Sequence, residues 1–129
     1  MGKGVVWGGW LFAAALFLPI SAQASEQWVA THYCACRICC GKTDGITASG
    51  QKAMPGMTVA CNWLPFGTII QIDGKNYVVE DRGARSEFGD KNHHKKRVDI
   101  FVSSHKEALR LGRKTVSVQI QEVPNGSGR

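Results

Sequence analysis

The amino-acid sequence predicts a small, mainly β domain whose strands close into a barrel. Short segments of strand-like composition, separated by turns rich in Gly and Asp, follow one another through the chain after residue 24. One short helix is predicted among them, and the regular alternation of strands and helices that builds a parallel α/β sheet is missing. So many short strands in so few residues favour closure, because a closed sheet has no exposed edge strands.

Residues 1–24 have the composition of a secretory signal peptide. Lys3 gives a weakly positive start, residues 5–20 are apolar, and residues 22–24 form an A-x-A cleavage signal. The alternative is an uncleaved membrane anchor, but the apolar run is shorter than the roughly 20 residues of a spanning helix. We therefore expect cleavage after Ala24 and a single exported domain over residues 25–129.

The exported domain is basic. The whole chain carries a net charge of +6, and Lys3 is the only charge in the leader, so the mature charge is about +5. Such an excess favours anionic polymers or surfaces, and nucleic acid is not expected as the partner of an exported protein. Part of it lies in a basic cluster, interpreted as a solvated loop or as a weak, salt-dependent polyanion site: Lys91, His93, His94, Lys95 and Lys96. We give His93 and His94 little weight as metal ligands, because no partner lies near them in sequence.

Six strands and one helix are predicted along the chain. The strands cover Trp28–Cys34, Thr58–Cys61, Thr68–Ile72, Lys75–Glu80, Val98–Val102 and Thr115–Val123. Asp73-Gly74 is a hairpin signal, because both central residues of a type I′ turn need positive φ. A capping box at Ser104–Glu107 opens the helix, which ends near Leu111 before Gly112. Residues 41–50 are predicted as a loop and residues 124–129 as a frayed tail.

Five cysteines lie in the exported part, at positions 34, 36, 39, 40 and 61. Export implies an oxidising compartment, so disulfides are the default state, and an odd count leaves one thiol free or paired with another molecule. We expect at least one intrachain disulfide, with Cys61 as a candidate partner of the cluster, acting as a staple for a small domain.

Two other interpretations of the cysteine cluster are less favoured. Zinc could be held by the four clustered cysteines with His32 beside them, but a second, distant C-x-x-C pair is missing, and Cys39 and Cys40 are adjacent, so both rarely reach one ion. A redox-catalytic role is weaker again, because no thioredoxin-like pattern surrounds the cluster.

Two aspartates occur in strand-like apolar runs. Asp81 follows Tyr77–Val79, and Asp99 lies within Val98–Val102. In regular strands Asp99 points away from the apolar residues on either side of it, whereas Asp81 shares a face with Tyr77 and Val79. A carboxyl group held over an apolar sheet tends to have a raised pKa, which suits a general acid. The alternative is that both aspartates form ordinary ion pairs with Arg82, Arg85 or Arg97.

An ordered set of short motifs resembles the three-aspartate, or 3D, domain. The motifs are T-A-S-G at 47–50, T-V-A at 58–60, L-P-F-G-T at 64–68, E-D-R-G at 80–83 and R-V-D-I-F at 97–101. The likeness extends over residues 31 to 118. The 3D domain forms the catalytic core of membrane-bound lytic transglycosylase A and of small secreted or spore-associated cell-wall lytic proteins. The resemblance implies a double-psi β-barrel that acts on peptidoglycan glycan strands. We expect six strands with one or two short helices, a monomer without cofactor or metal, and a location outside the cytoplasm.

The resemblance also assigns roles to single residues. The catalytic aspartate of the family falls on Asp99 and its second aspartate on Asp81, whereas the third position is Asn62, which keeps hydrogen-bonding capacity but loses the charge. Gly83 remains from a glycine pair that here reads Arg82-Gly83-Ala84. Thr47 and Tyr33, with Gly83 and Asn62, become candidate substrate-binding residues. For Thr47 and Tyr33 the structural alternative is ordinary turn and barrel packing.

The implied reaction needs one carboxyl group. Glycoside hydrolases commonly use two, one as acid and one as base or nucleophile. A lytic transglycosylase breaks the MurNAc–GlcNAc bond with a single residue, here Asp99, which first protonates the glycosidic oxygen and then deprotonates the C6 hydroxyl to close 1,6-anhydroMurNAc. Asp81 then holds sugar hydroxyls or orients Asp99. The competing hypothesis is a non-catalytic module of the cell envelope that binds peptidoglycan or is stapled by disulfides.

Overall fold

The structure is a computed structural model that describes residues 24–125. The predicted leader before Ala24 and the last four residues of the predicted frayed tail lie outside the described residues. Within 24–125, none of the helices has the length and apolar character needed to span a membrane.

The described chain forms eight strands and three short helices. In order they are β1 (Glu26–Tyr33), α1 (Arg37–Cys40), β2 (Thr58–Ala60), β3 (Ile69–Ile72), β4 (Lys75–Asp81), α2 (Arg85–Phe88), β5 (Gly89–Asp90), β6 (His93–His94), β7 (Arg97–Phe101), α3 (His105–Leu111) and β8 (Lys114–Glu122). The six predicted strands are all present, with ends shifted by one or two residues. Helices α1 and α2 are single turns, too short for an apolar period to reveal them, so the described chain has two helices more than the sequence pattern predicts.

Six of the strands close into a barrel in the order β1-β7-β2-β4-β3-β8. Two pairs are parallel, β1 with β7 and β2 with β4, and the other four pairs are antiparallel. A mainly β, closed, six-stranded barrel is therefore confirmed, and its mixture of parallel and antiparallel pairs is consistent with a double-psi barrel. The remaining strands, β5 and β6, form a small separate hairpin.

The barrel interior is filled by alternate residues of its strands. Its main apolar cluster includes Val59 of β2, Ile70 of β3, Val79 of β4 and Val98 of β7, each fully buried. Burying a side chain of this size stabilises the folded state by about 1.5–3 kcal/mol. Because four strands contribute to one packed cluster, the backbone of each strand is fixed relative to the others. The barrel can therefore hold polar side chains on its outer surface in defined positions.

Two local predictions are confirmed in detail. Asp73 and Gly74 connect β3 to β4 with φ of 48° and 85°, as a type I′ turn requires. Ser104 caps α3, its hydroxyl oxygen accepting a hydrogen bond from the Glu107 amide at 3.1 Å. The helix ends at Leu111, and Gly112 follows as its C-cap.

The basic cluster lies mainly in and around the β5–β6 hairpin rather than in an unstructured loop. His94 stacks on Trp63 with ring centroids 4.3 Å apart, and Lys95 donates to the Ser86 carbonyl at 2.7 Å. His93 lies 3.3 Å from Asp90. All five basic side chains are nevertheless exposed, so the cluster remains accessible to an anionic polymer.

Candidate active-site cleft

Strand register brings the two aspartates into one row on the barrel surface. Asp99 of β7 lies beside Thr31 of β1 on one side and beside Ala60 of β2 on the other. Ala60 in turn lies beside Asp81 of β4. Neighbouring strands are about 4.8 Å apart, so the backbones of the two aspartates are separated by about 10 Å, with one alanine between them.

A β-bulge decides the direction of Asp81. Val59 pairs with Val79, yet the next residue, Ala60, pairs with Asp81, so Glu80 is an extra residue in β4. A regular strand would place Asp81 on the face of Val79, and that prediction is wrong because an inserted residue reverses the alternation. Val79 is fully buried in the main core, whereas Asp81 borders an open cleft.

Asp99 has the orientation that the sequence predicts. Its neighbours Val98 and Ile100 are buried in the main core, and its own side chain borders the same cleft as Asp81. The Thr31 hydroxyl donates a hydrogen bond to the Asp99 carboxyl at 3.0 Å. Burial raises the pKa of Asp99 to about 6, against the opposing effects of the Thr31 hydrogen bond and of Arg97. Asp99 can therefore be protonated under mildly acidic conditions.

Asp81 has a different environment because it accepts several hydrogen bonds. The Tyr33 hydroxyl donates to one carboxylate oxygen at 2.7 Å, and the amides of Ala48 and Arg82 donate to the other, each at 2.9 Å. Burial and this bond to Asp81 raise the pKa of Tyr33, so its hydroxyl remains a donor. The carboxylate thereby joins β1, β4 and the loop that carries Ala48.

The ion pairs that formed the alternative interpretation of the two aspartates are not formed in the described part of the chain. The three arginines have other partners: Arg82 donates to the Cys61 carbonyl at 2.6 Å, Arg85 pairs with Asp90 at 2.7 Å, and Arg97 pairs with Glu87 at 3.2 Å. The guanidinium group of Arg82 also stacks on the Phe66 ring at 3.8 Å. Both aspartates are therefore left facing the cleft without a neutralising cation in contact.

The cleft has a volume of about 500 Å³ and is lined by five of the six predicted site residues, all except Asn62. Asp99, Asp81 and Tyr33 form its polar floor, and Gly83 lies on its wall. Thr47 also borders it, but the Thr47 hydroxyl is 2.9 Å from that of Ser49 and accepts from the Gln51 amide at 3.2 Å. Thr47 therefore lines the cleft and also forms hydrogen bonds within its own turn.

Asn62 does not border the cleft. Its amide nitrogen donates to the carbonyls of Gly83 and Gly89 at 2.9 and 2.8 Å, and its side-chain oxygen accepts from the Gly83 amide at 2.7 Å. The side chain therefore fixes the loop after β4, and any effect on a ligand is transmitted through Gly83. An aspartate could not make the two donor contacts, which gives a physical reason for an amide here.

Three residues in the cleft or in contact with its aspartates escaped the sequence analysis. Thr31 donates to Asp99, Ala60 forms the floor between the two aspartates, and Glu87 of α2 lies on the rim. Thr31 could have been found, because it lies two residues before Tyr33 and so shares its strand face. Ala60 and Glu87 carried no comparable signal, since their positions depend on strand pairing and on a one-turn helix.

The cysteine cluster lies next to the cleft, and Cys39 and Cys40 contribute to its lining. All five thiols are free, and the Sγ atoms of Cys34 and Cys39 are 3.3 Å apart, so the predicted disulfide is not confirmed. Cys61 is fully buried in the main barrel core, in a different apolar cluster from Cys34. His32, considered above as a zinc ligand, instead contacts the Gly112 carbonyl at 2.8 Å.

Comparisons with known proteins add little to this geometry. No family model matches the chain, and no curated protein matches it. Among solved structures, the crystal structure of an apo expansin from Clavibacter michiganensis is similar, with a TM-score of 0.48 and 20% sequence identity over 79% of this chain and 52% of that one. This chain thus spans about half the length of that expansin, and a likeness at this distance assigns no function.

Proposed function

We propose that the protein is a peptidoglycan lytic transglycosylase in which Asp99 acts as both general acid and general base. The observation that carries this proposal is the contrast between the two carboxyl groups in one cleft. Asp99 is largely buried, accepts one hydrogen bond from Thr31 and has a pKa of about 6. Asp81 already accepts three hydrogen bonds and is held in place by them. One carboxyl group suits proton transfer and the other suits positioning.

Asp99 both donates and recovers the proton that the reaction transfers. The protonated carboxyl group donates to the glycosidic oxygen as the bond between that oxygen and C1 of MurNAc breaks. The resulting carboxylate accepts the proton of the C6 hydroxyl while the C6 oxygen bonds to C1 and forms the 1,6-anhydro ring. Asp99 is protonated again after one turnover, so neither water nor a second carboxyl group is consumed. A pKa near 6 suits a group that must both give and take a proton near neutral pH.

Asp81 supports the reaction by holding neighbouring groups of the cleft in position. Its carboxylate fixes the Tyr33 hydroxyl and the Ala48 amide on the opposite side of the cleft floor. Ala60 lies between the two aspartates in strand register and lines the cleft, and its small side chain leaves room for a sugar ring across the floor. Gly83 allows the Phe88 ring to pack directly against the backbone of the cleft wall, because a Cβ there would overlap that ring.

The proposed substrate requires a protein that works outside the cytoplasm. The predicted leader over residues 1–24 supplies export, and the exposed basic cluster on the β5–β6 hairpin favours the anionic polymers of the wall. We propose a monomer that is secreted, periplasmic or associated with the cell wall, with peptidoglycan glycan strands as its partner. N-terminal sequencing of the exported protein tests the cleavage site after Ala24.

The product identifies the reaction. Purified peptidoglycan sacculi are incubated with the protein, and the released muropeptides are analysed by mass spectrometry in ¹⁸O-labelled water. A transglycosylase yields 1,6-anhydroMurNAc ends without label, whereas a hydrolase yields reducing ends that carry ¹⁸O. Reducing ends alone would overturn the proposed reaction. If nothing is released but the protein co-sediments with sacculi, a non-catalytic wall-binding module becomes the better account.

A further inference from the structure

Three cysteines and one histidine converge at the end of β1. Cys34 follows that strand, Cys36 and Cys39 belong to the turn of α1, and His105 is the first residue of α3. One potential ligand atom from each of the four residues lies within 4.8 Å of all the others. His105 is 66 residues from Cys39 in the chain, so this convergence is a property of the fold.

The separations within this Cys₃His cluster match the edges of a tetrahedral metal site. Nδ1 of His105 lies 3.3 Å from Sγ of Cys39 and 3.8 Å from Sγ of Cys36, and the Sγ atoms of Cys34 and Cys39 are 3.3 Å apart. With zinc–sulfur bonds near 2.3 Å and zinc–nitrogen bonds near 2.0 Å, ligand atoms around one tetrahedral zinc are separated by about 3.5–3.8 Å. Little movement is therefore needed for four bonds to one ion.

The surroundings also suit a partly buried thiolate site. Cys34 is buried, and Cys36 and Cys39 pack with Leu111 around a small apolar cluster. The Cys39 amide donates a hydrogen bond to Sγ of Cys36 at 3.3 Å, as outer-shell donors commonly do for metal-bound sulfur. The adjacent Cys40 is exposed, and its Sγ lies near backbone carbonyls, including that of Lys42 at 3.3 Å, outside the cluster.

We propose that Cys34, Cys36, Cys39 and His105 form a structural zinc site. The four residues supply a closed set of ligands with no position left for substrate, which is the arrangement of structural rather than catalytic zinc. The bound ion would join β1, α1 and α3, three elements that are otherwise linked here by a small apolar cluster. Because Tyr33 and Ala35 flank Cys34 and border the cleft, the site would also fix the cleft wall.

A Cys34–Cys39 disulfide is the competing state of the same side chains. Forming it would remove two thiolates and leave Cys36 and His105 without enough partners for a metal. The two states are therefore mutually exclusive, and the number of free thiols distinguishes them. The full-length protein and its exported form are purified without reductant, denatured with a chelator present, and titrated for thiols.

Metal binding is measured with zinc alone and with cobalt as its spectroscopic substitute. Apo protein is titrated with each ion, and stoichiometry is read by native mass spectrometry. We expect about one zinc per chain, and for cobalt the intense absorption of a tetrahedral site with thiolate-to-metal charge transfer. Cys39→Ser should lose this binding, and His105→Ala should weaken it by at least about tenfold. Cys40→Ser is the matched control and should bind as the unmodified protein does.

The outcome does not depend on glycan cleavage, so it is independent of the proposed enzyme activity. Circular dichroism of each apo variant shows whether a loss of binding reflects a loss of fold. If Cys39→Ser does not fold, the charge-transfer intensity of the cobalt-bound unmodified protein still reports three thiolates. A stoichiometric Cys34–Cys39 disulfide in protein that binds no zinc after reduction would overturn the proposal, as would equal loss of metal in Cys40→Ser and Cys39→Ser.

Discussion

The two ends of the cleft floor carry the same functional group in opposite settings. At the β7 end, the Asp99 carboxyl group is largely buried and accepts one hydrogen bond, from Thr31. At the β4 end, the Asp81 carboxylate accepts hydrogen bonds from a tyrosine hydroxyl and two backbone amides. Burial destabilises the charged form of Asp99, whereas the donors around Asp81 fix its carboxylate in one position. The difference shows how one barrel surface can hold a proton-transfer group and an anchoring group side by side.

The largest expected effect is the loss of activity when Asp99, rather than Asp81, is replaced by asparagine. Asp99→Asn is nearly isosteric but can neither donate nor accept the required protons, so cleavage of sacculi should fall by about 10²- to 10⁴-fold. Asp81→Asn should reduce activity less, since its amide can still bond Tyr33 and the two backbone amides can still reach its oxygen. Rates of muropeptide release are the measurement, with Asp73→Asn, in the exposed β3–β4 turn, as control. A near-normal rate for Asp99→Asn would refute its catalytic role.

The next effect concerns the loop that supports the β4 end. Asn62→Asp restores the carboxylate that the 3D resemblance implies, yet it removes the donor to the carbonyls of Gly83 and Gly89. Two partly buried acceptors would then face a negative charge, so we expect a loss of about 2–4 kcal/mol in the free energy of unfolding. Urea denaturation measures it. The same change at the exposed Asn76 should alter stability by about 0.5 kcal/mol or less, and equal effects at both positions would contradict the role given to Asn62.

Replacing aspartate by asparagine should change the stability of the protein in opposite directions at Asp99 and at Asp81. The pKa of Asp99 is about 6 in the folded state and about 3.9 in an unfolded chain, so the folded protein holds this proton more tightly. The contribution of this proton to the free energy of unfolding is fully present below about pH 4 and is lost as the pH rises through 6. Asp99→Asn should therefore stabilise the protein by about 2–3 kcal/mol at pH 7 and by little at pH 3.5.

Asp81→Asn should instead destabilise the protein at pH 7 by about 1–3 kcal/mol, because hydrogen bonds to a charged acceptor become neutral ones. Thermal unfolding of both variants across pH 3.5–8 tests the pair. A shift of stability in the same direction for both variants at pH 7 would show that the two carboxyl groups do not differ in environment.

The smallest expected effect concerns the hydrogen bond from Thr31 to Asp99 at the β7 end of the cleft floor. The Thr31 hydrogen bond lowers the pKa of Asp99, so Thr31→Val should raise that pKa further. If protonated Asp99 is the acid, the limb of the pH–rate profile that falls toward alkaline pH should move to higher pH. Thr31→Ser keeps the hydroxyl group and should leave the profile in place. An unchanged profile in Thr31→Val would show that the hydroxyl does not tune Asp99.

Local chemistry allowed much of the fold to be predicted from the sequence. Positive φ at Asp73-Gly74, the N-cap at Ser104 and the alternation of β8 each depend on a few neighbouring residues, and all three are present as expected. The orientation of Asp99 followed from the same logic, because β7 is regular and both flanking residues are apolar.

Tertiary structure alone decided three features of the candidate sites. The bulge at Glu80 turned Asp81 toward the cleft, because register depends on the partner strand and not on β4 itself. Asn62 became a clamp for the loop after β4 because Gly83 and Gly89 were folded against it. His105 joined the cysteines from the far end of the chain. Each depends on contacts between residues distant in sequence, whose geometry is set only when the barrel closes, whereas the sequence by itself determined the short-range elements that the barrel brings together.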